Sequence, residues 1–202
     1  MRMDHLGPSL ECNGKIEKGT EMNGIGTQTI ETDRVILRRF QVDDYKKVYV
    51  NWTSDYKTTQ FLSWDVHEND DATKLYIESK MELYEKEFFF DWVVVRKEDN
   101  EPIGEISCIK FSKTHRLCEI VYCYGSKFWN QGYGTEALKA FIDYMLNQVQ
   151  VDIVIACHTE SNAASGRIME KAGMKFDAIL PNYFVNKKTG KREGQVYYSV
   201  QR

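Results

Sequence analysis

FWNQGYGTEALKAF, Phe128 to Phe141, sets two glycines directly ahead of a strongly helical run. Gly132-x-Gly134-x-x-Ala137 formally matches a dinucleotide fingerprint, with Glu160 as the downstream acid. That fingerprint needs its first glycine in a tight turn right after a strand. Here the strand ends near Tyr124, and the bulky GSKFWNQ intervenes. A Walker loop is excluded because no Gly-Lys-Ser/Thr follows. Two readings stay open. The glycines turn the backbone so that the N–H groups and dipole of a helix N-terminus face an anion, or they simply start a helix.

Outward from this stretch the chain alternates in period. Upstream, RVILRRF (34–40) has strand content, and QVDDYKKVYVNW places Tyr45, Val48, Tyr49 and Trp52 on one helical face with Asp43 and Asp44 at its start. A second helix is predicted over 70–86, capped by Asn69, with Ala72, Leu75, Tyr76 and Leu83 on one side. FFFDWVVV (88–95), IGEISCIKF (103–111) and LCEIVYCY (117–124) follow with short polar connections, which predicts an antiparallel meander. Downstream come a long amphipathic helix through Ala137, Leu138, Phe141, Ile142, Met145 and Leu146, a buried strand VDIVIAC (151–157), and a helix over 162–173 closed by Gly173. MKFDAIL and QVYYSV form a last hairpin around KKTGKREG. The predicted fold is α+β: a mixed, mostly antiparallel central sheet of about seven strands with helices on both faces. The crossover from 117 to 157 makes those two strands parallel or locally splayed.

The chain has 202 residues, 42% hydrophobic and 28% charged, which suits one domain with a full core. Residues 1–30 are rich in Gly, Asn, Thr and Glu without a period and read as a mobile N-terminal extension, leaving 31–202 as a single domain. A net charge of −3 gives no basic footprint for nucleic acid. No long apolar run suggests a membrane span or a signal peptide, so the expected location is cytoplasmic. The five cysteines (12, 108, 118, 123 and 157) include no C-x-x-C pair and read as reduced, mostly buried thiols; no metal site is expected.

WNQGYGTEAL resembles the acetyl-CoA-binding signature of the GNAT acetyltransferases. In particular it is similar to the branch that modifies ribosomal-protein N-termini and related amines, which reads aromatic-x-x-Gly-Tyr-small-Thr-Glu-Ala. The match departs from the usual arginine three places before a glycine, with Asn130 and Gln131 instead preceding Gly132. HTESNAASGRIMEKAGMKF (158–176) resembles the same branch's second motif through Asn162, Ser165, Glu170, Lys171 and Gly173, with Met174 in place of the usual Phe. ETDRVILRRF is similar to its opening. The resemblance spans about 31–200.

The resemblance implies a GNAT-like fold, acetyl-CoA as co-substrate, and direct attack of a primary amine on the thioester. The pyrophosphate would rest on backbone groups of Asn130, Gln131, Gly132, Tyr133, Gly134 and Thr135. The pantetheine arm would pair with Ile120, Val121 and Tyr122 in a splayed gap and meet Asn162. Ser165 would stand near the sulfur, an alternative being a helix-start serine paired with Asn162 as a plain cap. Glu119 and Glu105 are the carboxylates expected to take the amine's proton, because an acid inside an apolar strand is unusual; outward-facing charges are the alternative. Tyr124 and Tyr183 are further proton-donor candidates, His158 reads as structural, and Trp129 reads as a loop anchor. Trp52, Phe61, Trp64 and Tyr183 are expected to wall the acceptor, a small-molecule amine or a protein N-terminus, in a monomer or homodimer. A non-catalytic acyl-CoA-binding or sensory domain on the same fold is the competing expectation.

Overall fold

In the computed structural model, residues 22–187 and 189–202 are described; 1–21 and Lys188 lie outside them. Eight strands form one sheet: β1 (Ile30–Glu31), β2 (Val35–Arg38), β3 (Asp91–Arg96), β4 (Glu101–Ser112), β5 (Leu117–Tyr124), β6 (Ile153–Thr159), β7 (Lys175–Val185) and β8 (Arg192–Gln201). Their spatial order is β1-β2-β3-β4-β5-β6-β8-β7. Every pairing is antiparallel except β5 with β6. The α+β expectation holds, with one strand more than expected: β1 is only two residues long, too short for an alternation to reveal.

Helices cover the sheet unequally. On one face lie α4 (Tyr133–Asp143), which continues as a wider π turn (Tyr144–Val149), and α5 (Ala163–Lys171). They bury Leu138, Phe141 and Met169 against Trp92, Ile106, Ile120 and Val154. Trp92 meets the Phe141 and Tyr144 rings edge-on, with centroids 5.4 Å away in each case. The opposite face carries α1 (Tyr45–Val48), which runs on into a π turn (Tyr49–Thr53), the short α2 (Tyr56–Thr59), and α3 (Asp70–Met81). There a second core gathers Phe40, Val48, Trp52, Ile77, Val93, Val95 and Cys123.

Two local expectations change. Asn69 does cap α3, its side-chain oxygen accepting from the Ala72 N–H at 2.9 Å. The helix stops at Met81, however, and its buried side is Thr73, Ile77 and Lys80; Leu75 is exposed. A buried ion pair accounts for the rotation, since Lys80 turns inward to Asp91 at 2.7 Å. Nor does the domain start near residue 31. Met22 packs on the main core, and the Gly26 N–H donates to the Glu87 carbonyl. The buried Thr27 hydroxyl donates to the Phe89 carbonyl at 2.9 Å and accepts from the Asp91 N–H at 3.0 Å. Residues 22–30 therefore belong to the folded unit. Their polar composition hides this because their anchoring is through hydrogen bonds rather than an apolar stripe.

Candidate functional site

β5 and β6 are hydrogen-bonded partners only from Leu117↔Ile153 to Ile120↔Ala156. Beyond that point β5 runs on to Tyr124 and β6 to Thr159 without pairing to each other, so the sheet opens in a V. In a closed sheet the backbone N–H and C=O groups along such an edge would have partners. A cavity of about 540 Å³ fills the opening. Tyr122, Cys123 and Tyr124 form its strand side, Gly132, Gly134 and Thr135 one end, and Asn162, Ser165, Arg167, Ile168 and Lys171 the α5 wall. Its size is that of a small-molecule pocket.

The glycine loop is built for close approach. Gly132 caps α4 in the left-handed region at φ +85°, where any side chain is strained. A Cβ on Gly134 would come 3.0 Å from the Tyr124 ring and 3.1 Å from Ile168. The first N–H groups of α4 have no intrahelical carbonyl, and the helix runs long enough for its dipole to favour an anion there. The loop is fixed from behind. Glu136 accepts hydrogen bonds from the Thr32 hydroxyl (2.6 Å), the Arg34 N–H (2.8 Å) and Arg34 Nε (2.7 Å). Arg34 also donates to the Gln131 carbonyl at 3.0 Å and lies over the Tyr133 ring. Gln131 points its amide back to the Lys127 carbonyl, and Tyr133 is buried, so these two can offer the cavity only main-chain groups. Trp129 is an anchor, its indole N–H donating to the Tyr124 carbonyl at 2.6 Å.

On α5, Asn162 occupies the cap position, yet its side chain makes no capping hydrogen bond and lines the cavity. Ser165 does not cap either. Its hydroxyl lies 2.8 Å from the Tyr122 hydroxyl, which is also 3.0 Å from the Ser165 carbonyl. Burial raises the Tyr122 pKa far above the usual phenol value, so this hydroxyl keeps its proton and acts as a fixed hydrogen-bonding partner. Nothing in the sequence marks Tyr122 as a side-chain contributor; one of twelve tyrosines carries no signal until a partner is placed against it.

The two carboxylates part company. Glu119 lies half-buried on β5 within the paired stretch, next to the vertex of the V, on the sheet face opposite α4 and α5. Cys157 and Tyr197 are close enough to share its electrostatic field. Burial, then Cys157, Tyr183 and Glu119, push Tyr197 up to about 12. Tyr183 is itself exposed and near enough to act on the Tyr197 phenol, so an open polar-aromatic patch borders Glu119. Glu105, by contrast, is occupied. It accepts from the Tyr76 hydroxyl at 2.8 and 2.9 Å and from Lys80 at 3.3 Å, outside the cavity lining. Lys80 also holds Asp91, which accepts from Ser107 at 2.7 Å. Burial alone would depress the lysine, but the Glu105 and Asp91 charges hold it above its usual value. The unexpected acid at 105 is thus one of the two acids of a buried ion cluster around Lys80.

Among the expected acceptor walls, Phe61 lines the cavity. Trp64 packs on His67 and Tyr76 instead. Trp52 is wholly buried in the second core and cannot touch an acceptor. Helical periodicity placed it correctly on a face, but that face points inward. Ile120 likewise turns its side chain into the core and is still paired with Ala156 of β6, and Val121 turns to the opposite face, so neither lines the cavity; Val121 lies on the strand just past the last β5–β6 pair. Among the described residues no cluster suited to a metal ion occurs, and no helix is long and apolar enough to cross a membrane.

Residues 34–175 match the acetyltransferase (GNAT) domain family. The chain is 28% identical over 151 residues to the uncharacterized N-acetyltransferase YnaD of Bacillus subtilis (strain 168), covering 75% of this chain and 85% of that protein. It shares its fold with a GNAT-family acetyltransferase from Bacillus anthracis at a TM-score of 0.75 and 23% identity, over 86% of this chain and 98% of the other. It also shares its fold with the ribosomal L7/L12 alpha-N-protein acetyltransferase RimL solved with coenzyme A, at a TM-score of 0.76 and 14% identity, again over 86% and 98%.

Proposed function

Because the chain belongs to the acetyltransferase (GNAT) family, we propose that it moves an acetyl group from acetyl-CoA to a primary amine at the V between β5 and β6. The observation that carries this reading is the coincidence of three features in one cavity: the open strand edge at 121–124, the glycine cradle at the start of α4, and the Ser165–Tyr122 hydroxyl pair. Acetyl-CoA, when bound, supplies the activated acyl group and a thiolate leaving group. The residues present suit it. Main-chain groups of 130–135 suit its pyrophosphate, and the free edge of β5 beyond Ile120 and the Asn162 amide suit its pantetheine amides.

Each remaining task falls to a group of this chain. Glu119 accepts the proton that the amine must lose, directly or through water, from the face that no helix covers next to the vertex. A β5 backbone N–H beside the vertex holds the developing oxyanion. The Ser165 hydroxyl donates to the departing sulfur. Tyr122, held protonated by its burial, orients that hydroxyl and does not surrender its own proton. The acceptor reaches Glu119 past Tyr183 and Tyr197. This open approach supports an amine at the end of a chain, such as a protein N-terminus or a small amine.

The test is thiol release from acetyl-CoA with a panel of N-terminal peptides, polyamines and amino acids. Turnover with one class and mass gain of one acetyl on its amine is expected. Tight coenzyme A binding with no turnover on any amine would replace this reading with a non-catalytic acyl-CoA-binding domain.

A further inference from the structure

Tyr124 is 6% exposed and lines the cavity, and its hydroxyl finds no hydrogen-bond partner among the described residues. A buried hydroxyl without a partner is costly and uncommon in a folded protein. The neighbouring tyrosine on the same face of β5 shows the contrast, since Tyr122 is satisfied by Ser165. The Tyr124 carbonyl, by contrast, is well served, accepting from the Trp129 indole and the Thr58 hydroxyl.

Its position is set by a glycine. The Cε2 edge of the ring, the carbon beside the one that bears the hydroxyl, lies 3.0 Å from where a Cβ on Gly134 would stand. The ring therefore tucks beneath the first turn of α4, against Ile168 on the facing wall. Gly134 thus does two things. It lets a ligand approach the helix N-terminus, and it makes room for this phenol below it. Burial raises the Tyr124 pKa well above the ordinary phenol value, which keeps the group a donor at neutral pH.

We infer that the Tyr124 hydroxyl is a ligand-binding donor, reserved for a phosphate oxygen of the co-substrate held at the start of α4. This rests on the reading of the cavity as the acetyl-CoA site. An anionic oxygen there completes the hydroxyl's hydrogen bonding, and the hydroxyl adds a side-chain donor to a cradle otherwise made of main-chain groups.

The experiment compares wild-type protein with Tyr124→Phe by calorimetric titration of coenzyme A and of pantetheine, which carries no phosphate, and by thermal melting without ligand. A donor reserved for a phosphate at the cradle predicts opposite signs in the two measurements. The ligand-free variant melts at or above the wild-type temperature, because an unsatisfied group has been removed. Coenzyme A binding weakens about tenfold, as expected for a hydrogen bond to a charged acceptor. Affinity for pantetheine is unchanged. Unchanged coenzyme A affinity in the variant overturns the inference. So does loss of melting temperature or of the fold, which would give the hydroxyl a structural role. Failure of the wild-type protein itself to bind coenzyme A would instead overturn the reading of the cavity, and the two failures are distinguishable.

Discussion

Removing one hydroxyl at a time separates the parts of the site. Ser165→Ala should lower kcat about a hundredfold with little change in the acetyl-CoA KM, because its contact matters when the sulfur carries charge. Tyr122→Phe should lower kcat less, because it acts through Ser165; steady-state kinetics of both variants and their double mutant check this, with the double near the Ser165→Ala level. Glu119→Gln should lower kcat by a similar hundredfold at neutral pH and lose less at high pH, where more of the amine is already neutral; a pH–rate profile decides. Lys80→Met tests the occupied acid. It leaves Asp91 and Glu105 buried without their cation and should cost about 3–5 kcal/mol at neutral pH by chemical denaturation. Burial, more than any other influence, already raises Asp91 above the ordinary carboxylate value. A raised carboxyl binds protons more tightly folded than unfolded, so its charge weakens the fold as pH rises through that interval. The loss in Lys80→Met should therefore shrink on acidification. Sequence alone flagged both Glu119 and Glu105 as acids in apolar strands, and could go no further: what distinguishes them is a lysine 25 positions away from Glu105 on another element. Trp52 was misplaced for a related reason, since periodicity marks a helical face without saying whether core or cavity lies opposite.

At the scale of elements, the loop and first turn of α4 carry the strongest claim. Gly132→Asp introduces both a side chain at φ +85° and a negative charge at the cradle, and Gly134→Val drives a branched side chain into Tyr124 and Ile168. Each should raise the acetyl-CoA KM by at least tenfold while circular dichroism shows the sheet intact; unchanged cofactor affinity in a folded variant would refute the cradle. Much of this level was legible. The meander, the crossover and the parallel β5–β6 pair follow from short polar connections and a long helix between two strands. The cap at Asn69 and the stop at Gly173, with φ +95°, follow from local chemistry. What escaped was set by partners distant in sequence: the inward turn of α3 by Asp91, and the fixing of the cradle through Arg34 and Glu136, 102 positions apart.

Across the whole molecule, two cores on opposite faces of one sheet hold the V open from both sides. The segment 22–30 ties them at the rear through Thr27, and Thr27→Val, which removes a buried donor and acceptor together, should cost about 2–3 kcal/mol. By thermal melting that is a fall of roughly 4–12 °C for a domain of this size. At the front, Lys187 on the β7–β8 turn pairs with Asp65 in the loop after Phe61 at 2.7 Å. That contact links a loop beside one cavity wall to a hairpin whose base is hydrogen-bonded to Ser161 on the other, through Asn186 and Glu193. The V also has a signature in isotope exchange. Those amides between 121 and 124 that point toward β6 lack a strand partner, while their neighbours facing β4 are paired. In heavy water the strand should label at alternate positions, fast on one edge and slow on the other, and coenzyme A should erase the alternation by protecting only the fast set. A strand that reports its missing neighbour residue by residue gives a footprint of the ligand without crystals or turnover.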